Sequence, residues 1–508
     1  MGFPRGRCHD VEGLSGVRPL SAGGTHTCPI TAKASPPGAR TRLRAARSAS
    51  VPNVSENVNL IILGASGDLT HRLLLPGLGT LLTANHSITV NLVGAGAEDW
   101  TQDHWREIAR TSLTEGGCRS DRLDAMVAST TYTKINASSS DDLAGLIAGL
   151  TGRIVLYFAL PPAVSLAACE ALTSLDLPAD VFLAIEKPFG TDQESAKAFN
   201  KLLARLPLPE SHIFRVDHYL GKATVLNLVG LRFTNRIFEP VWNAANIESI
   251  HIVSDESLAL EGRAGYYDRS GALKDMIQSH LLHVMAMLCM EELAMYDAFE
   301  LRDLIAHVLR STHLWDDDPV KASRRARYMA GKVGDEAVPN YVDEPGVDAS
   351  RNTESLAEVT VEIRNARWAG VPIVLRSGKA LGDGVRQITV VFRRLAHTPV
   401  GFLNEPPQNV VVIGLTPEYI RVQLSTNAEG NKLELEPSVL DAELGESPIR
   451  PYGEILSHIL AGDPLLSVRG DVAEECWRIV TPVLDAWASG KVPMDTYAAG
   501  SAGPSNWS

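Results

Sequence analysis

The sequence has no CxxC pair and no Cys/His cluster. Its six cysteines (Cys8, Cys28, Cys118, Cys169, Cys289 and Cys476) are scattered. That spacing argues against a disulfide framework and against a zinc site, and it points to a reducing compartment. No apolar run reaches the roughly 18 residues of a membrane span. Positive charge is not in excess either: the net charge is −13, which argues against nucleic acid or an anionic membrane as the main partner. There is no internal repeat and no long low-complexity linker. What remains is a chain of 508 residues, 45% hydrophobic and 21% charged, an ordinary globular composition with room for two or more domains.

The first fifty residues differ from the rest. They hold eight Lys or Arg against two acids, a local charge of +6 that leaves −19 on the remainder. They are rich in Gly, Pro, Ser and Ala and show no hydrophobic period. Without an apolar h-region they are not a secretory signal. Three readings stay open: a disordered extension, an upstream start-site artefact, or an Arg- and Ser-rich organelle transit peptide.

Patterned sequence begins at "NVNLIILG" (57–64), an apolar run ending in glycine. A helical pattern follows over about 68–83. "ITVNLVGAG" (88–96), "RIVLYFALPP" (153–162) and "VFLAIEKPFG" (181–190) read as further buried strands with helical patterns between them. Continuous apolar strands alternating with helices predict a parallel, doubly wound sheet. After about Ser211 the pattern changes. "IESIHIVSDES" alternates like a strand with one wet face, and "GALKDMIQSHLLHVMAML" reads as a long helix. Then "LAEVTVEI", "VPIVLRSG", "ITVVFRR", "NVVVIGL" and "YIRVQLS" follow without intervening helices, which predicts a large, mostly antiparallel sheet. Helical patterns over about 453–460 and 472–488 close the chain. The expected division is an extension over 1–53, a dinucleotide-type α/β domain over 54–212 and an α+β domain over 213–508.

Five stretches carry chemistry. "GASGDLT" (64–70) sits at a strand-to-helix junction, where Gly64 and Gly67 let backbone approach a pyrophosphate at a helix N-terminus. Its GxxG spacing is not the usual GxGxxG, so a plain βα turn is the competing reading. "EKPFG" (186–190) ends a buried strand, where Lys187 is placed to point into the cleft. A surface lysine beside a loop proline is the alternative. "RVDHYLGK" (215–222) is too polar for a core strand. Arg215, His218, Tyr219 and Lys222 supply donors for an oxyanion, and Asp217 supplies an acceptor that orients an imidazole. Asp275 and His280 sit five apart on a helical pattern, with His283 one turn beyond. Lys379 follows a strand end in "LRSGKAL".

Together these stretches, with "YFALPP", "LRFTNRIFEPVWN", "EGRAGYYD", "WRIVTP" and the final "GSAGP", resemble the glucose-6-phosphate dehydrogenase family in the family's order over about 60–504. "DHYLGK" is that family's active-site signature. The resemblance implies a Rossmann-like N-terminal domain and a larger β+α domain, dimeric through its sheet, as a homodimer or a dimer of dimers. It implies oxidation of glucose 6-phosphate at C1 with hydride transfer to a nicotinamide, NADP or NAD, as the first oxidative step of the pentose phosphate pathway in the cytoplasm. His280 is then the general base and Asp217 its partner. His218, Tyr219 and Lys222 grip the phosphate, Glu256 and Asp275 bind sugar hydroxyls, Lys379 reaches the substrate and Lys187 lies between sugar and nicotinamide. Gly64, Ala65, Ser66, Gly67, Asp68, Leu69 and Tyr157 line the cofactor. Another sugar oxidoreductase carrying "EKP" and a catalytically dead homologue are the competing identities.

The chain departs from the family at two places. Leu73 stands where most members have a lysine near the substrate. Ala97, followed by Glu98 and Asp99, stands where an arginine usually ends the second strand. NADP needs a cation at its 2′-phosphate, whereas an acid accepting from the ribose hydroxyl favours NAD. The expectation is NAD use, alone or beside NADP, unless Arg72 or Arg106 reaches the phosphate.

Overall fold

The computed structural model describes residues 57–507, except 86 and 446. The expected extension over 1–53 lies outside the described residues.

The apolar runs fold as a parallel sheet. β1 (Val58–Leu63), β2 (Val90–Gly96), β3 (Thr131–Lys134), β4 (Arg153–Phe158), β5 (Val181–Glu186) and β6 (Ile213–Val216) lie in the order β6-β5-β4-β1-β2-β3. Every residue of β1 is buried, as helices on both faces require. The strand order reverses between β4 and β1, and a doubly wound sheet holds its ligand outside the carboxyl ends at that point.

The expected boundary at 212/213 falls ahead of strands that belong to this first sheet. β6 extends it, and a short strand from late in the chain, Ser467–Val468, adds antiparallel to β6. The arginine in "IFRV" hid β6, since a charge breaks an apolar run. Arg215 is nonetheless buried, because Glu210 accepts from it at 2.7 Å and Asn200 at 2.9 Å. Arg215 therefore holds the sheet edge and is not an oxyanion donor.

The second sheet joins strands from 247–498. In chain order they are β7 (Ile247–Asp255), β8 (Thr312–Leu314), β9 (Ser323–Met329), β12 (Leu356–Ile363), β13 (Ile373–Gly378), β14 (Arg386–Phe392), β15 (Val410–Leu415), β16 (Glu418–Asn427), β17 (Leu435–Glu443) and β19 (Met494–Ala498). β10 (Gly331–Val333) and β11 (Glu336–Val338) form a separate hairpin, and β18 is the short strand Ser467–Val468. The spatial order is β17-β16-β15-β14-β7-β13-β12-β9-β19, with β8 beside β12. All neighbours are antiparallel except β7 with β13 and β9 with β19. Because β7 and β13 run together, their carboxyl ends meet, with Gly378 opposite Asp255.

The helix through "GALKDMIQSHLLHV" is not uniform. Leu273–Leu281 is π-helical, and Leu282–Cys289 continues as α-helix. In an α-helix, residues five apart differ by about 140° around the axis. The i→i+5 repeat of the π segment brings Asp275 and His280 to one side. Among the described residues, no helix is long and apolar enough to cross a membrane.

Candidate active site

β1 ends in a turn that only glycine fits. Gly64 has φ +88°, and a Cβ there would lie 2.2 Å from the Ala159 carbonyl oxygen that follows β4. The two strand ends therefore touch, and a cleft of about 740 Å³ opens above them. Gly64, Ser66, Gly67, Ala97, Glu98 and Lys134 are on its lining. A glycine turn, a helix start and a cleft at the switch point fit a dinucleotide. Glu98 accepts from the Ser66 hydroxyl at 2.5 Å, and that bond holds its carboxyl below the usual range. Lys134 lies 3.5 Å from Asp99.

The carboxyl ends of β5 and β6 carry the next groups. Asp217 follows β6 and is fully buried. Its Oδ1 accepts from the Tyr219 N–H at 3.0 Å and from His280 Nδ1 at 2.5 Å. Its Oδ2 accepts from Ser279 Oγ at 2.5 Å and from His283 Nδ1 at 2.6 Å. Burial alone would raise this carboxyl, but the two imidazoles more than offset it and hold it well below the usual range. An ionised carboxylate only accepts, so both histidines donate from Nδ1. Burial lowers His280 despite Asp217, so its imidazole is neutral at pH 7 and Nε2 keeps its lone pair.

Lys187 follows β5. Its ammonium donates to the Asp275 backbone carbonyl and lies 3.7 Å from the Asp275 carboxylate. The Tyr266 hydroxyl donates to the same carboxylate at 3.0 Å. Glu186, beside Lys187, accepts from the Tyr157 hydroxyl at 2.5 Å, and burial pushes its carboxyl up to about 7.

A cationic pocket adjoins this group. Strand ends of the second sheet supply Glu256 after β7, Lys379 after β13 and Arg386 at the start of β14. Glu256 accepts from Lys379 at 2.5 Å and from Arg386 at 2.9 Å. Lys222 lies 4.3 Å from the Tyr219 ring centre and donates to Thr416 at 3.3 Å. Burial, then the nearby Arg386 charge, lowers the Lys222 ammonium to about 8. Lys379 and Arg386 thus flank the carboxylate of Glu256, and Lys222 lies within Coulombic reach of Arg386, Glu418 and Glu256, an arrangement suited to a bound dianion. His218 stacks on Tyr452 at 5.3 Å and meets the His280 ring at 4.6 Å; burial, above all, lowers its imidazole well below the ordinary histidine value. The Tyr219 ring stacks on His280 at 4.3 Å, and its hydroxyl is 3.4 Å from Ser254.

The sequence-based residues thus fall mainly into three places. Asp217, His218, Tyr219, Asp275, His280 and Lys187 surround the imidazole, and Lys222, Glu256 and Lys379 form the cationic pocket. Gly64, Ser66 and Gly67 line the dinucleotide cleft; Ala65 is buried behind them, Leu69 packs on the core, and exposed Asp68 pairs with Arg72 at 3.3 Å. Tyr157 differs from its expected place: it is fully buried and tied to Glu186, because the apolar strand β4 points it inward. Leu73 is 46% exposed. Sequence reasoning missed Tyr266, Arg386 and Tyr452, and gave His283 no role. Tyr266 lies inside "EGRAGYYD", one of the stretches that carried the resemblance. Arg386 had no local signal beyond opening a strand.

A dinucleotide cleft at the switch point of a doubly wound sheet, together with a buried imidazole–carboxylate pair after β6 of the same sheet, fits a nicotinamide-dependent dehydrogenase. Two family models match this chain: the glucose-6-phosphate dehydrogenase NAD binding domain over 61–227 and the C-terminal domain over 229–508. A glucose-6-phosphate 1-dehydrogenase 2 of Mycobacterium tuberculosis H37Rv is 33% identical, over 92% of this chain and 95% of that protein. The enzyme of Treponema pallidum is 34% identical, over 88% and 92%. The crystal structure of the Mycobacterium avium enzyme has TM-score 0.78 at 32% identity, over 89% and 96% of the two chains. A glucose-6-phosphate dehydrogenase in complex with glucose-6-phosphate has TM-score 0.80 at 29% identity, with the same coverage. This chain belongs to the glucose-6-phosphate dehydrogenase family.

Proposed function

We propose that this chain oxidises D-glucose 6-phosphate at C1 to 6-phospho-D-glucono-1,5-lactone, with His280 as general base. The observation that carries the assignment is the 2.5 Å bond from His280 Nδ1 to a fully buried Asp217, which leaves Nε2 free beside a cationic pocket. A bound nicotinamide supplies the hydride acceptor. His280 takes the C1 hydroxyl proton on Nε2, and Asp217 stabilises the imidazolium that forms. Lys222, Lys379 and Arg386, with His218 and Tyr219, hold the phosphate end away from C1. That binding energy fixes the sugar without being consumed in the chemistry. Glu256 and Asp275 take sugar hydroxyls, and Lys187 stands between sugar and nicotinamide. The test is reduction of NAD and of NADP by pure protein with glucose 6-phosphate. Turnover with at least one is expected, and none with either sinks the assignment.

The cofactor follows from the cleft. Ala97 offers no cation, and Glu98 is an ionised acceptor fixed by Ser66 on the same lining. Arg72 and Arg106 pair with Asp68 and Asp103, at 3.3 and 3.4 Å, and neither lines the cleft. Lys134 does line it, with Asp99 against it. These charges favour NAD, used alone or beside NADP, since a carboxylate repels a 2′-phosphate. Comparing kcat/KM for the two at saturating sugar phosphate decides it. A preference for NADP above about tenfold, or 1.4 kcal/mol, contradicts NAD use. Ala97→Arg is expected to move the ratio toward NADP. A cytoplasmic location and a dimer built on the second sheet complete the proposal. Leu424, Val439 and Leu440 on its terminal strands β16 and β17 are 40–55% exposed, and a second copy would cover them.

A further inference from the structure

Asp217 has two imidazoles, and the reaction uses one. The second, His283, donates from Nδ1 to Oδ2 at 2.6 Å, and its Nε2 lies 3.9 Å from the Cys476 sulfur on the helix Gly470–Ala488. His283, Cys476 and Asp217 are all buried. A fully buried carboxylate that meets no Lys or Arg needs a compensating charge nearby. Among the described residues, the partners of the Asp217 carboxylate are the Tyr219 N–H, Ser279, His280 and His283. His280 must be neutral to accept a proton. That leaves His283 to carry the compensating charge.

We propose that His283 is a positioning residue, held as an imidazolium, that serves as counter-ion to Asp217 and thereby keeps His280 a neutral base. The inference rests on His280 being the base. Burial opposes the charge on His283, but Cys476 and Asp217 outweigh it and carry the imidazole to about 10. His283 also saturates Oδ2 together with Ser279, so the carboxylate cannot rotate away from His280. The groups facing His280 are Asp217 and the His218 and Tyr219 rings from the segment after β6, Lys187 from the end of β5, and Asp275 on its own helix. Glu186 is the next carboxyl beyond them, raised by the Asp217 charge and lowered by the Lys187 charge.

The sign of the effect follows. With His283 charged, Asp217 is half neutralised and pulls less on the His280 proton. His283→Gln keeps an N–H donor for Asp217 but removes the charge. The full carboxylate charge then acts on His280 and favours its protonated form. The acid limb of log kcat/KM against pH is expected to move up by about one pH unit or more, while kcat on the alkaline plateau changes little. An acid limb that stays in place, with only a lower melting temperature, overturns the inference and leaves a packing role.

If His283→Gln does not fold, the wild-type chain carries the test. Histidine is labelled with ¹⁵N, and the His283 signal is assigned by the Nε2 shift that Cys476→Ala causes. Both ring nitrogens protonated at pH 8 is the expected result; a single protonated nitrogen overturns it. A separate control is His280→Asn. Retained turnover there removes the base assignment itself, whereas lost turnover with an unmoved limb in His283→Gln removes only the role of His283.

Discussion

Lys222 is the residue whose chemistry is most exposed to a simple test. Burial and Arg386 bring its ammonium to about 8, so part of it is neutral in mildly alkaline solution. Its charge is present below that value and lost above it. The KM for glucose 6-phosphate is therefore expected to rise as pH passes about 8. Lys222→Ala should raise KM tenfold to a hundredfold, from a charge-assisted contact worth about 1.5–3 kcal/mol, and should flatten that alkaline rise. Equal losses with unphosphorylated glucose would place Lys222 away from the phosphate. Much of this site was legible in "RVDHYLGK", because cations, rings and an acid crowd one short segment. Arg215 was misleading there: its charge is balanced by Glu210, five residues upstream, in a bond that only the fold creates.

Among the elements, β1 and the turn after it carry the sharpest constraint. Gly64→Ala puts a methyl 2.2 Å from the Ala159 carbonyl at φ +88°. A strained backbone of this kind costs about 1–3 kcal/mol. The expected outcome is a lower melting temperature and a higher KM for the dinucleotide, with the sugar phosphate KM less affected. Unchanged stability and dinucleotide KM would mean that the two strand ends do not meet as described. The strands legible as unbroken apolar runs, β1, β2, β4 and β5, are those buried on both faces, whereas β7, β12, β13, β14, β15 and β16 were legible by alternation. β3, with sequence TYTK, has three of its four residues exposed and gave no such signal. β17 carries Pro437 and three acids at the sheet edge, where little apolar surface needs burying. The π turn was illegible too. Only the five-residue spacing of Asp275 and His280 hinted at it, since that spacing serves one site poorly in an α-helix.

The whole molecule places one reaction centre between two sheets. The first sheet delivers Lys187, Asp217 and His218 from the ends of β5 and β6, and the second delivers Glu256, Lys379 and Arg386. The helical segment Leu273–Leu281 supplies Asp275 and His280 between them. A dimer is expected at this scale, and light scattering should give twice the 54.8 kDa chain mass. A monomer at working concentration would leave the exposed apolar side chains of β16 and β17 without the proposed role.

The central claim is that His280, oriented by Asp217, removes the proton from the sugar. The direct measurement is the rate of nicotinamide reduction by His280→Asn against the wild-type chain at saturating glucose 6-phosphate. Loss of a positioned base costs about 10²–10⁴ in rate. Asparagine keeps most of the shape, so sugar affinity should change little. A kcat that falls by that factor, with substrate binding near the wild-type value, is the predicted result; a near-normal kcat would contradict the assignment of His280 as the base.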